Sequence, residues 1–134
     1  MANKILTNKI MNYLGVDYGE KRIGLAKAEG ELKIAIPWDT IVNDADVFDR
    51  LAAMVSKESI GRIVIGLPIS LDGRENDFAK KVRAFASKLG EVIDRPVVLE
   101  NEIFSSKMAR ESSPQKPDQS AAAVILQSYL DRTG

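Results

Sequence analysis

The spacing of apolar residues changes near position 43, and that change limits the folds open to the chain. Before it, strand-like runs follow one another closely: Asn12 to Asp17 (NYLGVD), Arg22 to Ala28 (RIGLAKA) and Leu32 to Trp38 (LKIAIPW). The turn-forming segments Tyr18-Gly19-Glu20-Lys21 and Glu29-Gly30-Glu31 separate them. Runs this close in sequence pair antiparallel, so a three-stranded meander is expected, with Pro37 marking the third strand as an edge. Beyond it the spacing is helical: Val47, Phe48, Leu51, Met54 and Val55 form one apolar face, with Asp44 or Asp46 placed to cap its start.

The remainder alternates strand and helix. Arg62 to Leu67 (RIVIGL) reads as a strand covered on both sides, and Pro68 to Gly73 as a loop. A second helix starts at about Glu75, with Phe78, Val82, Phe85 and Leu89 on one stripe, Lys80 and Arg83 opposite, and Gly90 as its stop. Pro96 to Leu99 gives the fifth strand, Ser105 to about Ser112 a short helix, and Asp118 caps a last helix through Leu130. Residues 1–11 have no periodicity and read as an N-terminal extension. Residues 12–134 then form one α/β domain: a mixed five-stranded sheet, three strands antiparallel and two more parallel to the first, flanked by helices.

Composition removes whole chemistries. The 134 residues include no His and no Cys. Imidazole bases, Ser-His-Asp and Cys-His nucleophile systems, thiolate zinc sites and disulfides are therefore excluded, leaving carboxylates, hydroxyls, amines, amides and oxygen-bound metals. No apolar run approaches the roughly 18 residues of a membrane span, and the scattered polar residues of MANKILTNKI do not make a signal peptide. The expected address is the cytoplasm, with no membrane partner. Nineteen basic residues balance nineteen acidic ones, but unevenly: residues 61–90 hold six basic and three acidic, residues 91–118 four and six. Neutral composition thus does not exclude a polyanionic partner, since bound cations would offset the acids.

Three acids fall where this order of elements would gather them. Asp17 ends the first strand, Glu102 lies just past the fifth, and Asp118 opens the last helix. Strands one, four and five, running parallel, share one C-terminal edge, where open α/β sheets carry their sites. Converging carboxylates suit Mg²⁺ or Mn²⁺, and two such ions about 4 Å apart support phosphodiester cleavage without any histidine. The bland alternatives are an Asx turn at Asp17, a solvated Glu102 and a simple N-cap at Asp118. Glu100 shares strand parity with Glu102, and spacing does not separate the two. Lys21 and Arg22 on the hairpin tip and Arg74 after Asp72-Gly73 are candidate phosphate contacts. Ser105 and Ser106 are candidates for touching substrate, although Ser105 equally suits a helix cap.

The segment Gly15-Val16-Asp17-Tyr18-Gly19-Glu20-Lys21-Arg22-Ile23-Gly24-Leu25-Ala26 resembles the signature of the YqgF/RuvX family of pre-16S rRNA nucleases, once described as Holliday junction resolvases. The likeness continues through Ala35-Ile36-Pro37, Gly66-Leu67-Pro68, Leu71-Asp72-Gly73, Glu102-x-x-Ser105-Ser106 and the run from Asp118 to Leu130. It implies an RNase H-like fold and a metal-dependent phosphodiesterase site built on Asp17, Glu102 and Asp118, holding two Mg²⁺ or Mn²⁺ ions. The Glu-x-x-Ser-Ser spacing selects Glu102 over Glu100. The implied substrate is structured RNA, the 5′ end of pre-16S rRNA, with branched DNA as the resolvase alternative, and the expected assembly is a monomer or weak homodimer. Two departures stand out. Asn101-Glu102-Ile103 replaces the family's usual Asp-Glu-Arg, and SSPQKP replaces a longer basic loop. Both favour weaker RNA affinity, or a binding module with little catalysis, against which stands the retention of all three acids. An actin-like ATPase would need two lobes around its nucleotide, and this chain supplies one.

Overall fold

The computed structural model describes residues 11–103 and 120–133. The early alternation becomes the expected meander: β1 (Asn12–Asp17) and β2 (Arg22–Ala28) pair antiparallel, and β3 (Ile36–Val42) adds to β2. Then follow α1 (Val47–Lys57), β4 (Ile60–Ile69), α2 (Asp77–Val92), β5 (Val97–Ile103) and α3 (Ala121–Thr133). The sheet order is β3-β2-β1-β4-β5, with β4 parallel to both β1 and β5. The mixed five-stranded sheet is therefore as the sequence predicts, and Pro37 sits on an edge strand, where a missing N–H costs no ladder bond. Residues 1–10 and the expected helix from Ser105 to Ser112 lie outside the described residues.

Several boundaries differ, each for a local reason. β3 begins four residues later than expected. The carbonyl of Glu29 accepts the Lys33 N–H at 2.8 Å and Lys33 takes a φ of 55°, so the chain coils where a strand was expected. The side chain of Gln127 on α3 then fastens the next residues, accepting from the Ala35 N–H at 2.8 Å and donating to the Lys33 carbonyl at 3.2 Å. Gly90 does not stop α2, which runs on to Val92. The helix closes when Ile93 N–H reaches the Leu89 carbonyl at 2.8 Å, and burial of Leu89 and Ile93 outweighs the roughly 1 kcal/mol that an internal glycine costs. Asn76 caps the start of α2, its side chain accepting from Ala79 N–H at 2.9 Å. At α1, Asp46 holds the cap position without a side-chain bond, while Asp44 accepts from Asp46 N–H at 3.0 Å and pairs with Arg50. That pairing holds the Asp44 carboxyl below its ordinary range.

The sheet is covered on both faces. Leu14 and Val16 of β1, Ile23 and Leu25 of β2, and Ile63, Ile65 and Leu67 of β4 meet Leu51, Val55, Val82, Phe85 and Leu89 of α1 and α2. On the other face, Ala26 and Val64 meet Ala122, Ile125, Leu126 and Tyr129 of α3. Among the described residues no helix is long and apolar enough to cross a membrane. The alternation of strand side chains puts Gly15 and Asp17 of β1, Gly66 of β4, and Glu100 and Glu102 of β5 on the α3 face. The approach of α3 is close: a Cβ on Gly15 would lie 2.7 Å from Leu126 Cβ and 2.8 Å from the Ala122 carbonyl oxygen.

The last helix is capped by Ser120, whose hydroxyl accepts from Ala123 N–H at 3.0 Å while its carbonyl accepts from Val124 N–H at 3.0 Å. This corrects the expected cap at Asp118. A serine two residues nearer the helix takes the position from which a short oxygen reaches the third helical N–H.

Substitutions at two glycines test this packing with opposite signs. Gly15→Ala is expected to destabilise by about 1–3 kcal/mol, because backbone and helix must separate. Gly90→Ala, with only Val97 Cγ2 near its added methyl at 3.9 Å, is expected to stabilise by about 0.5–1 kcal/mol. Ser120→Ala should cost about 1 kcal/mol. Urea denaturation of the three variants against the parent reads all three.

Candidate active site

Asp17 is the last residue of β1, half-buried, and is opposite Gly24 on β2. On its other side, β1 and β4 pair Gly15 with Val64 and Val16 with Ile65. That pairing ends there, one residue short of Asp17 and Gly66. A Cβ on Gly24 would stand 3.7 Å from Asp17 Cβ and 3.9 Å from Ala122 Cβ, which puts Asp17 and the first turn of α3 on the same spot of sheet.

Glu102 approaches from the other side. It lies within β5, not past its end, because β5 keeps its parallel pairing with β4 as far as Pro68↔Glu102 and Ile69↔Ile103. Its side chain is buried, 7% exposed, and leans back over Gly66, where an added Cβ would be 3.3 Å from Glu102 Cδ and 2.6 Å from Ile125 Cδ1. Ala122 above Gly24 and Ile125 above Gly66 are three residues apart on one face of α3. The two acids therefore lie beneath the first turns of that helix, and the Ile125 side chain fills the space over Gly66.

Glu100, which parity left as a rival, is engaged elsewhere. Its Oε1 accepts from Arg132 Nη2 at 2.5 Å and its Oε2 from Ser128 Oγ at 3.1 Å. The pair keeps Arg132 above even its ordinary basic range. Asp118, Ser105 and Ser106 lie outside the described residues. Among the described residues no group of three or more acidic side chains is gathered as a metal cluster. The donor chemistry present still fits a hard divalent cation: two carboxylates on one face of the sheet, under the same helix.

The basic candidates ring the same end of the sheet. Lys21 and Arg22 are exposed on the β1–β2 turn. That turn is held from below by Asn43, which donates N–H to the Lys21 carbonyl at 2.9 Å and its side-chain amide to the Gly19 carbonyl at 2.8 Å. Arg74 follows β4 on a self-bonded loop: Gly73, at φ 82°, donates to the Ser70 carbonyl at 2.9 Å, and the Asp72 carboxylate takes Ser70 Oγ and the Arg74 N–H. Those two bonds, the Ser70 hydroxyl foremost, hold the Asp72 carboxyl below its usual range. The Arg74 side chain is 86% exposed and meets Asp72 at 3.3 Å. The sequence reading put Gly66 within the strand without a role in the site, and gave none to Ser128 or Arg132. The parity that puts Gly66 on the face of Val64 was available to it, whereas the partners of Glu100 depend on a helix far away in sequence.

The profile of the RuvX family, described as Holliday junction resolvase, matches residues 11–132. Relatives bearing the name "Putative pre-16S rRNA nuclease" include one from Anaeromyxobacter sp. (strain K), 38% identical over 91% of this chain and 98% of its own. Others come from Sulfurihydrogenibium sp. (strain YO3AOP1), 35% identical over 89% of each chain, and Maridesulfovibrio salexigens, 34% identical over 91% of this chain and 99% of its own. Among solved structures, Thermus thermophilus RuvC in complex with Holliday junction substrate superposes with a TM-score of 0.57 at 13% identity, over 92% of this chain and 96% of that one. A second Thermus thermophilus RuvC structure gives 0.50 at 12% identity over the same shares. At those identities the likeness is one of fold, and it makes the sheet and helices RNase H-like. A family profile spanning nearly the whole described fold, with relatives above 30% identity over most of the chain, places this protein in the RuvX family.

Proposed function

We propose that this chain is a divalent-cation-dependent nuclease that hydrolyses phosphodiester bonds in structured RNA, with the 5′ end of pre-16S rRNA as its cytoplasmic substrate. The observation that carries the reading is that Asp17, at Gly24 and Ala122, and Glu102, at Gly66 and Ile125, both lie under the first turns of α3. The names of its relatives supply the substrate class.

Asp17 and Glu102, together with Asp118, would hold two Mg²⁺ or Mn²⁺ ions. When bound, such ions lower the pKa of an attacking water and offset charge on the leaving oxygen. The work of the chain is positioning. Asp17 and Glu102 sit on strands, which fix a carboxylate more tightly than loops do. Gly24 and Gly66 let the first turns of α3 come down beside the carboxylates. Burial of Glu102 keeps competing water from its oxygens and strengthens its attraction for a cation. Lys21, Arg22 and Arg74 are read as contacts to phosphates flanking the scissile bond, with Ser105 and Ser106 as neutral donors to the same backbone. The exposed Arg74–Asp72 pair can be exchanged for a phosphate at little cost, since such pairs contribute only about 0–1 kcal/mol.

The family's description as Holliday junction resolvase favours a second substrate, a four-way DNA junction, cut by the same chemistry. Purified protein with Mg²⁺ or Mn²⁺, offered a precursor-rRNA fragment and a four-way junction in parallel, is expected to cut the RNA. EDTA should stop cleavage and excess Mn²⁺ restore it. Asp17→Asn and Glu102→Gln should each lower the rate about 100-fold or more, the equivalent of roughly 3 kcal/mol of lost transition-state stabilisation. Parental rates in Asp17→Asn would overturn the assignment, and cleavage of the junction alone would replace the substrate. Arg74→Ala is expected to weaken RNA binding evenly across sequences and lower the salt slope by about one, read by filter binding at several salt concentrations.

A further inference from the structure

One buried acid on the α3 face has no part in the reaction just described. Glu100, 5% exposed, is paired in register with Gly66. Glu102 Cδ stands 3.3 Å from where a Cβ on Gly66 would lie, so the carboxyl of Glu102 leans back to the row that Glu100 occupies. The two acids share one face of β5, and the Ile125 side chain covers Gly66 beside them.

We propose that Arg132 and Ser128 hold Glu100 out of the cation site, so that β5 offers the site one carboxylate, Glu102, where its sequence carries two. The direction of the side chains supports this. Ile125 stands over Gly66, and Ser128 and Arg132 lie about one and two turns further along α3. Glu102 leans onto Gly66, whereas Glu100 is drawn along the helix by a hydroxyl and a guanidinium that occupy both of its oxygens. The number of charged ligands sets how tightly an oxygen site binds a divalent cation. Removing Arg132 leaves a buried carboxylate without its counter-charge, and the nearest way to regain one is a metal ion. Arg132 and Ser128 are positioning residues in this scheme, and they touch neither substrate nor cation.

The inference rests on the reading of Asp17 and Glu102 as cation ligands, and titration of the full chain with Mn²⁺ in the absence of RNA separates the two. Calorimetry and the Mn²⁺ electron paramagnetic resonance signal provide readouts independent of activity. Arg132→Met is expected to tighten Mn²⁺ binding about tenfold, following the added ligand charge. Adding Glu100→Gln to it should abolish the gain, and Arg132→Lys should bind as the parent does. Glu100→Gln alone should keep parental affinity within about twofold while Glu102→Gln loses tenfold or more, as expected when one charged ligand is lost. Unchanged Mn²⁺ affinity in a folded Arg132→Met overturns the proposal, as does a tenfold loss in Glu100→Gln. If Arg132→Met fails to fold by circular dichroism, Glu100→Gln, whose amide still reaches Ser128, decides the matter alone. An unaltered Mn²⁺ titration in both Asp17→Asn and Glu102→Gln would instead defeat the reading of the site itself.

Discussion

The close contact between α3 and the sheet depends on Gly15 and Gly66, where a Cβ would lie within 3 Å of helix atoms. Interiors pack at near-crystalline density, so a single methyl at either place has to be absorbed by moving a whole element. Because β1 and β4 both end at the candidate site, any such movement also shifts Asp17 against Glu102. Packing and chemistry share one distance here, the height of the helix above the floor of the sheet. The smallness of Ala122, opposite Gly24, belongs to the same requirement.

The acids are arranged around that floor at different depths. Glu100 has a hydroxyl and a guanidinium, so its burial is compensated, as buried carboxylates require. Asp17 is half-buried at a strand end and Glu102 is almost fully buried within a strand. A cation between them would offset repulsion that water cannot screen at that depth. On the proposed reading, the same arrangement would let a chain of zero net charge present a site to a polyanion. The acids are concentrated beneath α3, and the exposed basic residues Lys21, Arg22 and Arg74 stand around the end of the sheet.

The elements most legible in the sequence were those whose pattern is purely local. β1 and β2 fall on the expected residues because NYLGVD and RIGLAKA alternate cleanly around a tight turn. The start of β3 was not legible, since Gln127, more than ninety residues away, determines what Lys33 and Ala35 bond to. β5 was read short for a related reason: Glu100, Asn101 and Glu102 look like the polar end of a strand until long-range pairing with Leu67 and Pro68 carries it on. Within the candidate site, position 17 stood out by its place at a strand end among glycines, with an Asx turn as the alternative. The choice between Glu100 and Glu102 needed either the family spacing or the sight of Arg132. Asp118 was read as both a cap and a ligand, and finding Ser120 at the cap removes the first role without touching the second.

The fastening of residues 33–35 by Gln127 also governs how the molecule meets its own copies. β3 is an edge strand, and beside it Leu32, Ile34 and Ile36 are exposed, a composition that invites an unfolded or neighbouring chain to add a strand. At the entrance to that edge the Ala35 N–H is already committed to Gln127, and Pro37, of the same parity, has no N–H to give. Two backbone donors at the start of that edge are thus withheld from any approaching strand, one by a glutamine amide and one by a proline ring.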